Sequence, residues 1–184
     1  MVKFLVTKDY AVKDPVNDYR DNGYNAGIDG FCPENTPEFK EKLFAAVPKD
    51  DVLKDAANPT ENWFDAENGV INIAPHHDIK IPAGLYTKLD PLTMLVDMNK
   101  SGVCTKQKLA VGACVIDVSY QGIVHYHMFN FSDKWQSIKC GNKVCQMVQV
   151  PILIGMSVEH DISPEDWFET KTDRGAGGFG STGL

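Results

Sequence analysis

From residue 70 to residue 156 the chain is cut into short apolar pieces, and this punctuation limits the folds open to it more than any other feature. Residues 70–74, 77–81 and 85–89 alternate or run apolar through Val70, Ile71, Ile73, Ile79, Ile81, Leu85 and Leu89. Pro75, the triplet Pro82-Ala83-Gly84 and Pro91 separate them. Segments 93–98, 109–114, 122–130 and 144–156 continue the series, and residues 2–6 read as an opening strand. Many short strands with regular turn signals predict an all-β fold, a jelly-roll-like barrel or sandwich.

One helix interrupts the pattern. Thr36 and Pro37 supply an N-cap and first-turn pair, and Phe39, Leu43, Phe44 and Val47 share a face, so a short helix is expected over 37–47, ending before Pro48. It sits in a polar segment, about 33–70, that is longer than an ordinary strand connection and reads as an insertion, with Trp63 and Phe64 as anchors. Ser163, Pro164, Glu165 and Asp166 form a capping start for one further helical turn bearing Trp167 and Phe168.

A chain of 184 residues with 43% hydrophobic content is expected to make one β domain, 1–173, followed by an arm, 174–184, in which five of ten residues from Arg174 to Gly183 are glycine. The net charge of −7 argues against a nucleic-acid partner, which a basic surface would attract. A polyanionic small substrate would need local cations, and Lys100, Lys106, Lys108, Lys143 and Arg174 are the candidates. Of 18 basic residues only Arg20 and Arg174 are arginine, so a planar fork that grips phosphate in pairs is kept where point charges would not serve. Five cysteines, odd in number and without CxxC spacing, read as reduced thiols of a cytoplasmic protein. No run approaches the ~18 apolar residues of a membrane span.

Asp117 follows the apolar run 109–116 and precedes Tyr120 and Gly122. By itself such an acid reads as a turn cap, and Asp29, between Gly27 and Gly30, reads as a turn in the same way. His125 and His127 share a strand face, as a metal pair would, but no third ligand lies at suitable spacing, so surface or subunit-contact histidines are expected. The tail satisfies GxGxxG from Gly175 to Gly180, yet no helix follows to hold a phosphate. It offers instead backbone N–H groups, two hydroxyls, an arginine and a ring. Those are the parts of a lid over a nucleotide triphosphate, with Phe179 to stack on a base and Arg174, Ser181 and Thr182 to hold phosphates.

Taken in order, Asn25-Ala26-Gly27-Ile28-Asp29, Asn99-Lys100-Ser101-Gly102, the stretch from Val115 to Gly122, Gly141-Asn142-Lys143-Val144-Cys145-Gln146 and the tail from Arg174 resemble the five motifs of the trimeric dUTPases. The resemblance implies hydrolysis of dUTP to dUMP and pyrophosphate by water attack at the α-phosphorus, with Asp117 as the base. Tyr120 would pack on the sugar and leave no room for a 2′-hydroxyl. Uracil would be read by backbone around Val111, Val115 and Ile116, with His125 near the pocket. Lys100, Ser101, Gly102 and Gln146 would hold phosphates, and the arm would add Arg174, Phe179, Gly180, Ser181 and Thr182. Asn99 and Lys100 stand for the family's Pro and Arg, and Asn142 and Lys143 for its Asp and Arg. Mg²⁺ is implied, held mainly by substrate phosphates and reached by Asp29 through water. So is a homotrimer in which each site takes motifs one, two and four from one chain, Asp117 and Tyr120 from a second and the arm from a third. A dCTP deaminase or bifunctional relative shares this fold, but those enzymes use a glutamate in the catalytic strand, where Asp117, Val118 and Ser119 stand here. A trimer that binds a regulatory protein through 33–70 is the non-enzymatic alternative.

Overall fold

Side chains that alternate between core and solvent are what turn the short apolar pieces into strands in the computed structural model of the protein, which describes residues 2–15, 26–46, 63–153, 155, 157–168, 170 and 172. In chain order the strands are β1 Lys3–Val6, β2 Ile28–Phe31, β3 Phe64–Asp65, β4 Val70–Ile73, β5 Asp78–Pro82, β6 Leu85–Lys88, β7 Thr93–Asn99, β8 Leu109–Val111, β9 Val115–Ile116, β10 His125–Asn130, β11 Gln136–Lys139 and β12 Lys143–Pro151. The helices are α1 Pro37–Ala46, α2 Ser101–Gln107 and α3 Pro164–Trp167. All strand pairs are antiparallel and form four small sheets, ordered β1-β6, β5-β10-β8, β11-β4-β3 and β2-β12-β7-β9. The all-β expectation therefore holds. The chain divides into two compact units, Met1–Leu153, which holds every described strand, and Ile154–Leu184, which holds α3.

The core is built from the inward residues of several strands. Ile71 and Ile73 of β4, Ile79 and Ile81 of β5, Leu95 of β7, Tyr126 and Met128 of β10 and Met147 of β12 are all buried. At about 25 cal/mol per Å² of apolar surface removed from water, such residues supply the main drive to fold. The helix expected over 37–47 is present as Pro37–Ala46, with Thr36 Oγ1 accepting from the Phe39 N–H at 3.2 Å; Val47 lies outside the described residues. Phe39 and Leu43 are buried, and Phe44 sets its ring edge-on against Phe64 at 6.0 Å. Trp63 and Phe64 are buried as well, so the described parts of the 33–70 segment direct large apolar side chains into the core.

Asp29, read as a turn by itself, belongs to a buried strand, β2. Two elements carry no sequence-based expectation: residues 101–107 form a helix, and 136–139 form a strand with a single buried residue, Ile138. In the second unit, Ser163 caps α3 as expected, its Oγ accepting from the Asp166 N–H at 3.1 Å.

Two buried polar side chains constrain the interior. Asn130 is fully buried and donates from Nδ2 to the carbonyls of Ile73, Ala74 and Lys134, while its Oδ1 accepts from the N–H and hydroxyl of Ser132. Asn130→Ala removes a buried donor shared by three carbonyls and the acceptor of Ser132, although His77 N–H still reaches the Ala74 carbonyl and Ser132 Oγ the Lys134 carbonyl, and urea unfolding should show a loss of roughly 3 kcal/mol. Asp97, on β7, is 2% exposed and its oxygens find no nitrogen or oxygen donor among the described residues; the weak thiol donor of Cys145 lies beside it. Burial pushes its pKa from 3.8 up to about 7, and the Cys145 contact offsets part of that rise. The folded chain thus holds this proton where the unfolded chain has released it. Its contribution to stability is complete below about pH 4 and is lost as the pH rises through 7, a change on the order of 4 kcal/mol. Urea titrations at pH 4 to 8 should show that decline in the native protein and its loss in Asp97→Asn.

Candidate active site

Strand register brings motifs that are far apart in sequence onto one sheet. β12 pairs with β2 on one side, setting Gln146 opposite Asp29 and Lys143 opposite Phe31 across a bulge, and with β7 on the other, setting Cys145 opposite Asn99. Gly27 is required by the same approach, because a Cβ there would lie 2.4 Å from Cγ of Gln146. Asp29 is 5% exposed and each oxygen has a cation: Lys100 Nζ donates to Oδ1 at 2.8 Å and Lys143 Nζ to Oδ2 at 2.5 Å. Burial raises its pKa, but the hydrogen bonds from the two lysines prevail and hold it below the usual carboxylate range. Two motif lysines are thereby fixed at one carboxylate.

Lys100 is the N-cap of α2, whose first backbone bond runs from the Cys104 N–H to the Lys100 carbonyl. The N–H groups of Ser101 and Gly102 precede that bond and lie at an exposed helix start. Lys100, Gly102, Lys106, Lys139, Asn142 and Lys143 border a groove of about 310 Å³ floored by Val103 and Ile138. Four lysines on its rim, two of them with their ammoniums paired to Asp29, give it the character of an anion site.

Asp117 emerges on the opposite edge of the same sheet. β9 pairs only with β7 in that sheet, matching Leu95 to Ile116 and Val96 to Val115, and Asp117 follows Ile116 into a turn closed by the Tyr120 N–H donating to the Asp117 carbonyl at 3.1 Å. The Asp117 side chain is exposed; Tyr120 donates from its hydroxyl to the Ile123 carbonyl at 2.8 Å, which fixes the ring. Asp117, Tyr120, Val115, Ile116 and His125 line a cavity of about 280 Å³, together with Lys80, Asp97 and His127. No lining residue is common to this cavity and the lysine groove. Between β2 and β9 stand three strand spacings, ~14 Å.

The remaining site residues fall as follows. The Val111 N–H is already bound, donating to Asn99 Oδ1 at 2.7 Å, so the second motif and the start of the hairpin are tied together. Gln146 is half-buried next to Asp29. Burial pulls the His125 pKa down and Lys80 adds to that, against a backbone hydrogen bond with Ile123 that raises it. Arg174, Phe179, Gly180, Ser181 and Thr182 lie outside the described residues. Sequence reasoning passed over Asp97 and Lys80 and read His127 as a surface or subunit-contact histidine, whereas all three line the cavity; the alternation of β7, β5 and β10 was the signal that could have placed them. As for a metal, no group of three or more acid, histidine or cysteine side chains able to hold an ion occurs among the described residues. An ionised carboxylate beside an anion groove fits a cation reached through water and carried by phosphates, the manner in which Mg²⁺ binds.

Comparison with known proteins accords with this arrangement. The dUTPase family model matches residues 70–183. Deoxyuridine 5′-triphosphate nucleotidohydrolase of Arabidopsis thaliana is 30% identical over 158 residues, 81% of this chain and 85% of that protein. The enzyme of the same name from Picosynechococcus is 34% identical over 116 residues, 61% of this chain and 77% of that protein. Among solved structures, the Staphylococcus bacteriophage 80alpha dUTPase bound to dUpNHpp overlays with a TM-score of 0.65 at 17% identity, covering 100% of this chain and 99% of the other. The dUTPase from phage phi11 of S. aureus, described with a coordinated structural Mg(II) ion, overlays with a TM-score of 0.59 at 15% identity, covering 88% and 97%. The chain belongs to the dUTPase family and hydrolyses dUTP to dUMP and pyrophosphate.

Proposed function

We propose that hydrolysis proceeds by attack of water at the α-phosphorus, in sites that three copies of the chain build together. The observation that supports this reading is the partition of the motif residues: Lys100, Gly102 and Lys143 border one cleft and Asp117 and Tyr120 another, with no lining residue in common. Clefts that share no lining residue are what is expected if the nucleoside end and the triphosphate end of one substrate are held by different chains.

In this scheme the nucleoside enters the 280 Å³ cavity. Backbone of Val115 and Ile116 reads uracil beside His125, with Val111, whose N–H is held by Asn99, fixing the start of the hairpin, and the fixed Tyr120 ring closes the space a 2′-hydroxyl would need. Lys100 and Lys143, held ready at Asp29, turn to the incoming phosphates with Gln146 and the N–H groups of Ser101 and Gly102. Mg²⁺ carried on the phosphates would neutralise their oxygens further, and Asp29, once its lysines turn to the phosphates, would reach it through water. Asp117, exposed at the turn, takes the proton of the attacking water. The arm of the third copy, 174–184, then closes with Phe179 on the base and Arg174, Gly180, Ser181 and Thr182 on the phosphates, excluding solvent. The body of each copy is residues 1–173. We place the enzyme in the cytoplasm, where its free cysteines stay reduced.

Asp117→Asn keeps the size and the turn but cannot accept a proton. Pyrophosphate release from dUTP should fall by about 10³-fold or more, while dUTP binding by calorimetry and the assembly mass stay as in the parent. Turnover within tenfold of the parent contradicts the assignment of the base.

A further inference from the structure

The loop that joins β8 to β9 is three residues long, Gly112, Ala113 and Cys114, and its first two N–H groups are both taken by one side of a single residue, His127. The Gly112 N–H donates to the His127 carbonyl at 2.8 Å, and the Ala113 N–H donates to His127 Nδ1 at 2.7 Å. An imidazole that accepts at Nδ1 carries its proton on Nε2, and that proton has a partner: Nε2 stands 2.7 Å from Asp78 Oδ2, on β5. Asp78 therefore fixes the tautomer that the hairpin needs. The loop lies so flat on the ring that a Cβ at Gly112 would sit 2.2 Å from Nδ1. His127 also lines the cavity that Val115, Ile116, Asp117 and Tyr120 line.

We infer that His127, oriented by Asp78, is a positioning residue for base selection: it holds the hairpin backbone in the one arrangement that presents the right donors and acceptors to the substrate's base. This rests on the reading that the cavity holds the nucleoside. A wall that recognises a base through main-chain groups must be held to within ~0.5 Å, since a small rotation redirects every donor at once. Without the Nδ1 acceptor the Ala113 N–H becomes a stray donor beside the pocket. It would compete for carbonyl oxygens and suit cytosine as well as uracil.

The test compares four variants in the full-length enzyme by steady-state pyrophosphate release from dUTP and dCTP. His127→Phe fills the same space without an acceptor; KM for dUTP should rise about tenfold, kcat should stay within about threefold, and the preference for dUTP over dCTP should narrow. His127→Asn places an amide oxygen where Nδ1 stood, and should recover most of the KM and the preference. Asp78→Ala, at a partly exposed position that folding tolerates, should give an intermediate rise because both tautomers become populated. Val115→Trp fills the cavity from its exposed edge and reports on the nucleoside reading alone. If Val115→Trp raises KM but His127→Phe and Asp78→Ala do not, the positioning role is wrong and the cavity reading stands. If Val115→Trp leaves KM unchanged, the cavity reading falls and the inference with it. If His127→Phe and His127→Asn lose activity equally, with Asp78→Ala at parent KM, the histidine is structural only and the inference is overturned.

Discussion

The nine-residue strand β12 is the constraint on which the rest depends, because it alone forms ladders with both β2 and β7 in the sheet that carries the motif residues. Each ladder fixes a register, and register in a sheet with a buried face is strongly enforced: a slip of one residue would turn Met147 outward and drive a polar neighbour into the core. The same ladders set Asp29 against Gln146, and the Lys143 ammonium meets the carboxylate that Lys100 reaches from the other side. The phosphate-side chemistry is thus a consequence of strand pairing. The Asp29 pair of ion contacts is not the reason the sheet forms, since a buried carboxylate with two lysines offsets its own desolvation and little more.

β7 links that edge to the one that carries Asp117. Its C-terminal end leads into Lys100 and α2, and its middle residues pair with β9, which delivers Asp117. Asn99 reinforces the link by accepting from the Val111 N–H. The two clefts therefore move as parts of one rigid sheet, with their separation set by strand spacing. On the proposed reading, one substrate draws the two clefts from different copies, and association becomes part of the chemistry.

Much of this was legible in the sequence because strand alternation and turn residues are local signals. Val70, Ile71 and Ile73, the break at Pro75, and Pro82-Ala83-Gly84 mark β4, β5 and β6 without any knowledge of partners. Thr36 and Pro37 announced α1 for the same reason. What escaped was settled by tertiary contact. Asp29 between glycines has the composition of a turn, and only pairing with β12 makes it a strand. Ser101, Gly102, Val103 and Thr105 are weak helix formers, yet α2 forms because Val103 is buried and Lys108 accepts a left-handed conformation, φ 53, that ends it. β11 offers just one buried residue, too little for a period to be seen. The motif residues could be marked in the sequence, but that Asp97 and His127 line one cavity and that Asp78 meets His127 depends on which strands lie side by side, and no spacing within the chain encodes that.

The central claim is that the acid and the phosphate-side lysines of one working site belong to different chains. Asp117→Asn and Lys100→Ala, each inactive alone, can be unfolded together, refolded as a mixture and assayed for pyrophosphate release from dUTP. In randomly mixed trimers roughly a quarter of the sites combine an intact Asp117 with an intact Lys100, and activity of that order should return. A mixture no more active than its two components would place the whole site within one chain and contradict the account.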